Sequence, residues 1–462
     1  GVEEGDFTLI FGFPGRTNQY LPSPAVRQIK DVLDPAKIEI RDVALKIMDK
    51  YMREDEQTRI QYASKFARIA NYWKKWQGEK TGLEKSNAVG KKQDLEDEFM
   101  KIVKADNKLF GQYGHLMTKF GEKYAAIEKY AYTRDYYNEV VGRNVEILRV
   151  AGVMGRLATA LEKNGETGYN DFKGRVEGFL ADHFKNYNAQ IDKEVLIALS
   201  DLYRNNVDKA YTPTAFVVKS KTLGPIMGDM FDRSIFRDQN KLNAVLAESP
   251  EVAVEKIMSD PIFILYRDWK KIYDEQISGQ YNKLNDEIQL LQKRYMRGLV
   301  EVFPNKKFWP DANSTMRVAY GKVQGYSPSD AVYYKPVTHF DGVVEKYVPK
   351  DYEFDVDENL LDLYRTKNYG PYADETGSVP VCFIGTNHTT GGNSGSPAID
   401  ANGNLIGLNF DRAWEGTMSD INYDPSICRN IMVDIRYVLF IVDKYAGATH
   451  LVEEMKLVHP KK

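Results

Sequence analysis

The densest chemistry in this chain lies at residues 389–397, which read Thr-Thr-Gly-Gly-Asn-Ser-Gly-Ser-Pro. A serine attacks a carbonyl only if its Oγ is exposed, and the resulting oxyanion needs two N–H donors aimed at one point. Glycines around the serine permit the tight backbone that turns amides inward. Ser394 is therefore the candidate nucleophile, and the amides of Gly392 and Ser394 are the candidate oxyanion hole. A plain glycine-rich turn between two strands is the alternative reading.

A serine nucleophile needs a base. The six histidines are His115, His183, His339, His388, His450 and His459. His115 and His183 fall in a helical stretch, where a core or exposed role suffices. His450 and His459 follow the last helix and are expected on the surface. His388 stands six residues before Ser394, too near for its ring to fold back as base. His339, with Asp341 nearby, is the only contender, and its position argues against it. The loop resembles the nucleophile loop of chymotrypsin-like serine peptidases, in which His and Asp come far upstream of Ser.

The elements that must position these residues divide by proline. Four of the 18 prolines lie in residues 1–35, four in 36–303 and ten in 304–462, with none between Pro35 and Pro213. Proline is excluded from helix interiors, so the long gap in a charged, Lys/Glu/Ala/Leu-rich stretch predicts helices. Ile191, Val195, Leu199 and Leu202 mark one helical face. Tyr281, Leu284, Ile288, Leu291, Tyr295, Leu299 and Val302 mark another. Asp34-Pro35 has the form of a helix start. From Pro304 the texture changes to short apolar runs broken by Gly, Pro, Asn and Asp. Val379–Gly385 and Leu405–Phe410 read as strands, with a hairpin turn at Asn402-Gly403. Ile431–Tyr445 reads as a helix packed on that β domain.

The chain opens Gly1-Val2-Glu3-Glu4-Gly5 and runs into Phe7–Phe13, a β-rich apolar stretch closed by Pro14-Gly15 and predicted to be a buried strand. No initiator Met or signal peptide opens it, and the next stretch offers the strand no obvious partners. With the base also missing, the expectation is a part of a longer protein whose first segment carries His and Asp. Taken alone, such a chain is expected to be inactive or nearly so.

Composition narrows the class. An apolar fraction of 43% and a charged fraction of 28% suit a globular fold. The net charge of −3 gives no basic field for nucleic acid. No apolar run reaches the ~20 residues of a membrane helix. No metal-ligand spacing or phosphate loop stands out, so no cofactor is expected. Cys382 and Cys428 either form a disulfide or stay as free thiols.

Longer motifs carry a resemblance. Pro380-Val381-Cys382-Phe383, the Thr389–Pro397 loop, Gly407-Leu408-Asn409-Phe410-Asp411-Arg412 with Trp414-Glu415-Gly416, and Asp434–Phe440 resemble the bacterial dipeptidyl-peptidase 7 and 11 family. Gly5–Thr8, Phe11–Thr17 and Ala70-Asn71-Tyr72-Trp73-Lys74 are similar to it as well. The resemblance implies an α+β fold, a chymotrypsin-like β-barrel with a large inserted all-α domain. On this reading, residues 1–24 end a first barrel, 25–303 form the inserted helical domain and 304–462 form the second barrel with its C-terminal helix. It also implies a homodimer and a periplasmic or secreted location in a Gram-negative bacterium. In that family an arginine at the position of Arg412 goes with Asp or Glu at P1, and a guanidinium suits a carboxylate. A solvated Arg412, or one paired with Asp411 or Glu415, is the alternative. The resemblance assigns Asp411 and Asn71 to the substrate's free amine, with a helix-surface or capping role as the alternative for Asn71. The expected function is a serine exopeptidase releasing dipeptides with Asp or Glu at P1. A glutamyl endopeptidase and a non-catalytic peptide-binding protein remain the rivals.

Overall fold

The computed structural model describes residues 1–351 and 353–458, so His459 lies outside the described residues. The chain divides into two compact units. One comprises Gly1–Leu21, Thr81–Lys91 and the residues from Pro304 onward; the other comprises Pro22–Lys80 and Lys92–Phe303.

The second unit is built of helices, and the proline-poor stretch supplies most of them. On helix Ala189–Asn206, Ile191, Val195 and Leu199 are buried, as their spacing predicts. On Gly279–Val302 the buried face runs through Ile288, Tyr295, Leu299 and Val302. The start expected at Asp34-Pro35 is corrected. Helix begins at Ser23, widens through a π-helical segment at Ile29–Leu33 and continues as Asp34–Glu54. The wide turn accommodates Pro35, which cannot donate to the preceding turn. Asp34 is thus a buried residue in mid-helix, with Lys37 Nζ 2.9 Å from its Oδ1.

The first unit is built on one sheet. Its strands are β1 (Phe7–Gly12), β2 (Arg317–Lys322), β3 (Tyr326–Ser329), β4 (Val332–Tyr334), β5 (Val337–His339), β6 (Pro380–Gly385), β7 (Ser396–Ile399), β8 (Leu405–Arg412) and β9 (Asn430–Asp434). Seven of them follow the order β2-β1-β7-β8-β9-β6-β5, all antiparallel, while β3 and β4 form a separate hairpin. The sheet curls until Val323, just after β2, bridges Gly385 at the end of β6, and Thr386 N donates to Lys322 O at 3.0 Å. Ile10, Val323, Phe383, Ala398, Ile406 and Met432 fill the inside of the curl. Asn387, 2% exposed, ties its ends together: its Nδ2 donates to Thr8 O and Ala319 O at 3.2 Å, and Thr8 Oγ1 donates to its Oδ1 at 2.7 Å.

Three expectations change here. Residues 7–12 are not without partners in this chain: β1 lies in this sheet, between β2 and β7. Its partners come from far along the chain, which hid them from a local reading. Nor is the strand buried on both faces. Thr8, Ile10 and Gly12 face inward while Phe7 and Phe11 are exposed, the alternation of a half-covered sheet. Within 431–445, Asn430–Asp434 is strand and helix begins only at Ile435, where Asp434 Oδ1 caps Arg436 N at 2.8 Å. The turn at Asn402-Gly403 joins β7 to β8 with Gly403 at φ +82°. No helix among the described residues is long and apolar enough to cross a membrane.

Candidate active site

Ser394 sits on the loop between β6 and β7, and the packing of that loop accounts for its residue types. Asn393 N donates to Thr390 O at 3.0 Å, while Asn393 Oδ1 accepts from Thr390 N at 3.1 Å. Asn409 Nδ2 on β8 donates to Asn393 O at 3.2 Å, and Asn430 Nδ2 on β9 donates to Asn409 Oδ1 at 2.8 Å. A ladder of buried asparagines thus anchors the loop to two strands. Gly15 N donates to Gly391 O at 2.6 Å, bringing the end of β1 against the same loop. Gly392 has φ +104°, and a Cβ there would lie 2.3 Å from Phe13 O. Only glycine fits.

Ser394 itself is exposed, and its Oγ donates to Phe410 O at 3.2 Å. Among the described residues, the amides of Gly392 and Ser394 donate to no protein acceptor. The loop therefore presents one hydroxyl and two uncommitted N–H donors within three residues.

Two histidines of the sheet unit, His388 and His339, are engaged elsewhere. His388 stacks on Tyr423, with ring centroids 4.5 Å apart, and its Nε2 lies 3.0 Å from Ser419 O. A carbonyl can only accept, so Nε2 carries the proton. Burial pushes the pKa of His388 down, which favours the neutral imidazole. His339 lies on β5, four strands from β7 in the sheet order, and its Nε2 pairs with Asp374 Oδ2 at 2.8 Å. Asp341, the expected companion of His339, accepts instead from Tyr364 OH at 2.9 Å. Burial pushes both thiols up to about 11, and Cys382 and Cys428 are free, which removes the disulfide alternative.

Arg412 ends β8 beyond a bulge at Phe410. Its guanidinium is mostly buried and pairs with neither Asp411 nor Glu415. Nη1 reaches Asp420 Oδ1 and Ser419 Oγ, both at 2.7 Å, and Nη2 lies 3.4 Å from Asp420 Oδ2. Asp411 is exposed and its Oδ1 accepts from Arg412 N at 2.8 Å. The stretch Thr81–Lys91 braces this region: Lys91 Nζ pairs with Asp424 at 2.8 Å, and Asn422 Nδ2 donates to Ser86 Oγ at 3.1 Å. Ser394, Gly392, Asp411 and Arg412 thus share the sheet unit. Asn71 belongs to the helical unit, exposed in the middle of helix Glu56–Lys85 rather than at a cap. On the same helix, the Trp76 ring lies 4.6 Å from the Arg41 guanidinium. Ser419 and Asp420 were not singled out from sequence. Their only signal is a serine and an acid seven and eight residues past an arginine, a spacing that belongs to no regular element.

An exposed serine hydroxyl, free neighbouring amides and a guanidinium on one curled sheet make up the candidate site. The chain belongs to the peptidase S46 family, whose profile matches residues 1–457. The resemblance read from the motifs is thereby borne out. An Asp/Glu-specific dipeptidyl-peptidase of Flavobacterium psychrophilum is 51% identical over 463 residues, covering 100% of this chain and 64% of the relative. A dipeptidyl-peptidase 7 of Phocaeicola vulgatus is 36% identical over 99% of this chain and 63% of its own length. The crystal structure of Porphyromonas endodontalis DPP11 in complex with the dipeptide Arg-Glu superposes with a TM-score of 0.86 at 28% identity, over 98% of this chain and 65% of that one. The chain thus spans less than two thirds of the length of these relatives.

Proposed function

We propose that this chain carries the nucleophile and P1 pocket of a serine dipeptidyl peptidase that removes N-terminal dipeptides ending in Asp or Glu. The observation that carries the reading is an exposed Ser394 between two uncommitted amides, with Arg412 on the neighbouring strand. Ser394 Oγ leaves Phe410 O to attack the scissile carbonyl. The amides of Gly392 and Ser394 then hold the oxyanion of the tetrahedral intermediate; the base takes the hydroxyl's proton and passes it to the amine, whose departure leaves an acyl-enzyme that water hydrolyses. Arg412 receives the P1 carboxylate, and Asp411 takes the substrate's α-ammonium.

The base and its orienting acid are assigned to parts of the whole protein beyond these 462 residues, a reading supported by the engagement of His388 and His339 elsewhere. The same reading makes the curled sheet one barrel of a chymotrypsin-like pair, with the helical unit inserted between β1 and β2. It makes the whole enzyme a periplasmic or secreted homodimer. Relatives named as Asp/Glu-specific support the P1 assignment.

The test uses the whole protein and fluorogenic dipeptides with Asp, Glu or Leu at P1, each with a free or a blocked amine. Turnover of free-amine acidic substrates, its loss in Ser394→Ala by about 10⁴–10⁶-fold, and no turnover by residues 1–462 alone are expected. Cleavage of blocked substrates would make the enzyme an endopeptidase, and full activity in Ser394→Ala would remove the serine mechanism.

A further inference from the structure

A guanidinium has five N–H donors and two edges that can take a carboxylate bidentately: end-on through Nη1 and Nη2, or side-on through Nε and Nη2. In Arg412 the end-on edge is occupied. Both Nη1 protons go to Asp420 Oδ1 and Ser419 Oγ at 2.7 Å, and the inner Nη2 proton faces Asp420 Oδ2 at 3.4 Å. Among the described residues, Nε and the outer Nη2 proton face no protein acceptor. One complete side-on edge is left.

The groups that hold the occupied edge are themselves fixed. Ser419 and Asp420 are 2% and 7% exposed, at the end of the 3-10 helix Trp414–Asp420. Ser419 O accepts from His388 Nε2 at 3.0 Å and from Gln19 Nε2 at 2.5 Å. Asp420 O accepts from Asn18 N at 2.7 Å, while Gln19 N donates to Asp311 Oδ1 at 2.9 Å. Three chain segments therefore converge behind Arg412. Its guanidinium is a plate held along one edge by buried groups, not a charge on a free tether.

From this geometry we infer that Asp420 is a positioning residue for acidic-P1 specificity: it locks Arg412 so that only the Nε–Nη2 edge is presented to the P1 carboxylate. The inference rests on the P1 reading above and adds to it the orientation of the bound carboxylate and the residue that enforces it. The side-on pair places both substrate oxygens on a fixed line, so chain length at P1 is read against a stationary target. The opposite possibility is exchange, in which the P1 carboxylate displaces Asp420 from the end-on edge.

The two are separated in the whole protein by Asp420→Ala and Asp420→Asn, assayed on free-amine dipeptides with Asp, Glu and Leu at P1. A fluorophosphonate labels Ser394 independently of P1 and reports an intact nucleophile. Positioning predicts that Asp420→Ala lowers kcat/KM for acidic P1 by about ten- to a hundredfold, mainly through KM. Labelling and the slow Leu reaction stay unchanged, and Asp420→Asn, which keeps one acceptor, recovers part of the loss. Unchanged or improved kcat/KM on acidic P1 in Asp420→Ala overturns the inference in favour of exchange. Equal losses on acidic and Leu substrates in both variants overturn it in favour of a purely structural role. A parent protein without acidic preference defeats the P1 reading itself, whatever the variants do.

Discussion

Gly392 illustrates how much a single backbone position can demand. Its φ of +104° lies where L-residues are strained, and the carbonyl of Phe13 occupies the place of a Cβ. Gly392→Ala must therefore move either the loop or the end of β1, and both shift the candidate oxyanion amide. With loss of one such donor worth about 10²–10³-fold, the whole enzyme carrying Gly392→Ala should lose activity on that scale while Ser394→Ala loses more. Steady-state kinetics beside a thermal melt would check it, and wild-type kcat would contradict it. Such positions are legible in sequence because the constraint is local: glycine, asparagine and serine in that order leave few backbone solutions. Arg412 was legible for its charge and place, but its partner was not. Asp420 comes alongside through a 3-10 turn whose course depends on Met418 and Ser419 being buried, and no repeat in the sequence announces that.

At the scale of elements, pattern succeeded where partners are near and failed where they are remote. The β7–β8 hairpin and the buried faces of helices Ala189–Asn206 and Gly279–Val302 follow from spacing alone. The start at Asp34 did not follow, since a π-helical segment lets a helix run through a proline that ordinarily begins one. The place of β1 is set by residues 317–322 and 398–399, and a strand carries no local label for a partner so far along the chain. Asn387 holds this arrangement with three buried hydrogen bonds to β1 and β2. Asn387→Ala leaves Thr8 O, Ala319 O and the Thr8 hydroxyl without that partner. Each such group costs about 1–3 kcal/mol when buried and unsatisfied. The sheet unit should therefore melt several degrees lower in this variant, by differential scanning calorimetry, and an unchanged melt would show that the amide is dispensable.

At the scale of the whole molecule, pH should act on the helical unit through its buried titratable groups. In the helical unit, Asp192 Oδ1 and Oδ2 accept from the amides of Glu146 and Ile147 at 2.7 and 2.8 Å, and Tyr187 OH donates to Oδ2 at 3.0 Å. Burial, with the Glu146 charge adding to it, raises the Asp192 pKa to about 7. Close by, Glu146 accepts from Tyr62 OH and Lys65 Nζ, and burial lowers the His183 pKa to about 4. An acid with a raised folded pKa contributes stability that is complete below its unfolded value of 3.8 and is lost as pH rises through about 7. A histidine with a lowered one does the reverse between about 4 and 6.5. The two trends oppose each other up to about 6.5, and only the Asp192 loss continues above it. Asp192→Asn removes that loss. Its stability relative to the parent should rise between pH 4 and 7 by at most about 1.4 kcal/mol per unit, read from urea midpoints of the helical transition. A difference independent of pH would contradict the assignment.

The pairing of β1 with β2 also has a kinetic meaning. Residues 13–316 separate two strands that lie side by side, and all of the helical unit falls within that interval. Closing so long a loop in an unstructured chain costs on the order of 5 kcal/mol of entropy, and the gain arrives only once the sheet is paired. Helices built from near neighbours face no such delay. Folding should therefore run from the middle outward, with amides of Ala189–Asn206 and Gly279–Val302 protected before those of β1 and β2 in pulse-labelled hydrogen exchange. Ser394 and Arg412, which depend on the finished sheet, would be assembled last, so the candidate site would take shape only when folding is complete.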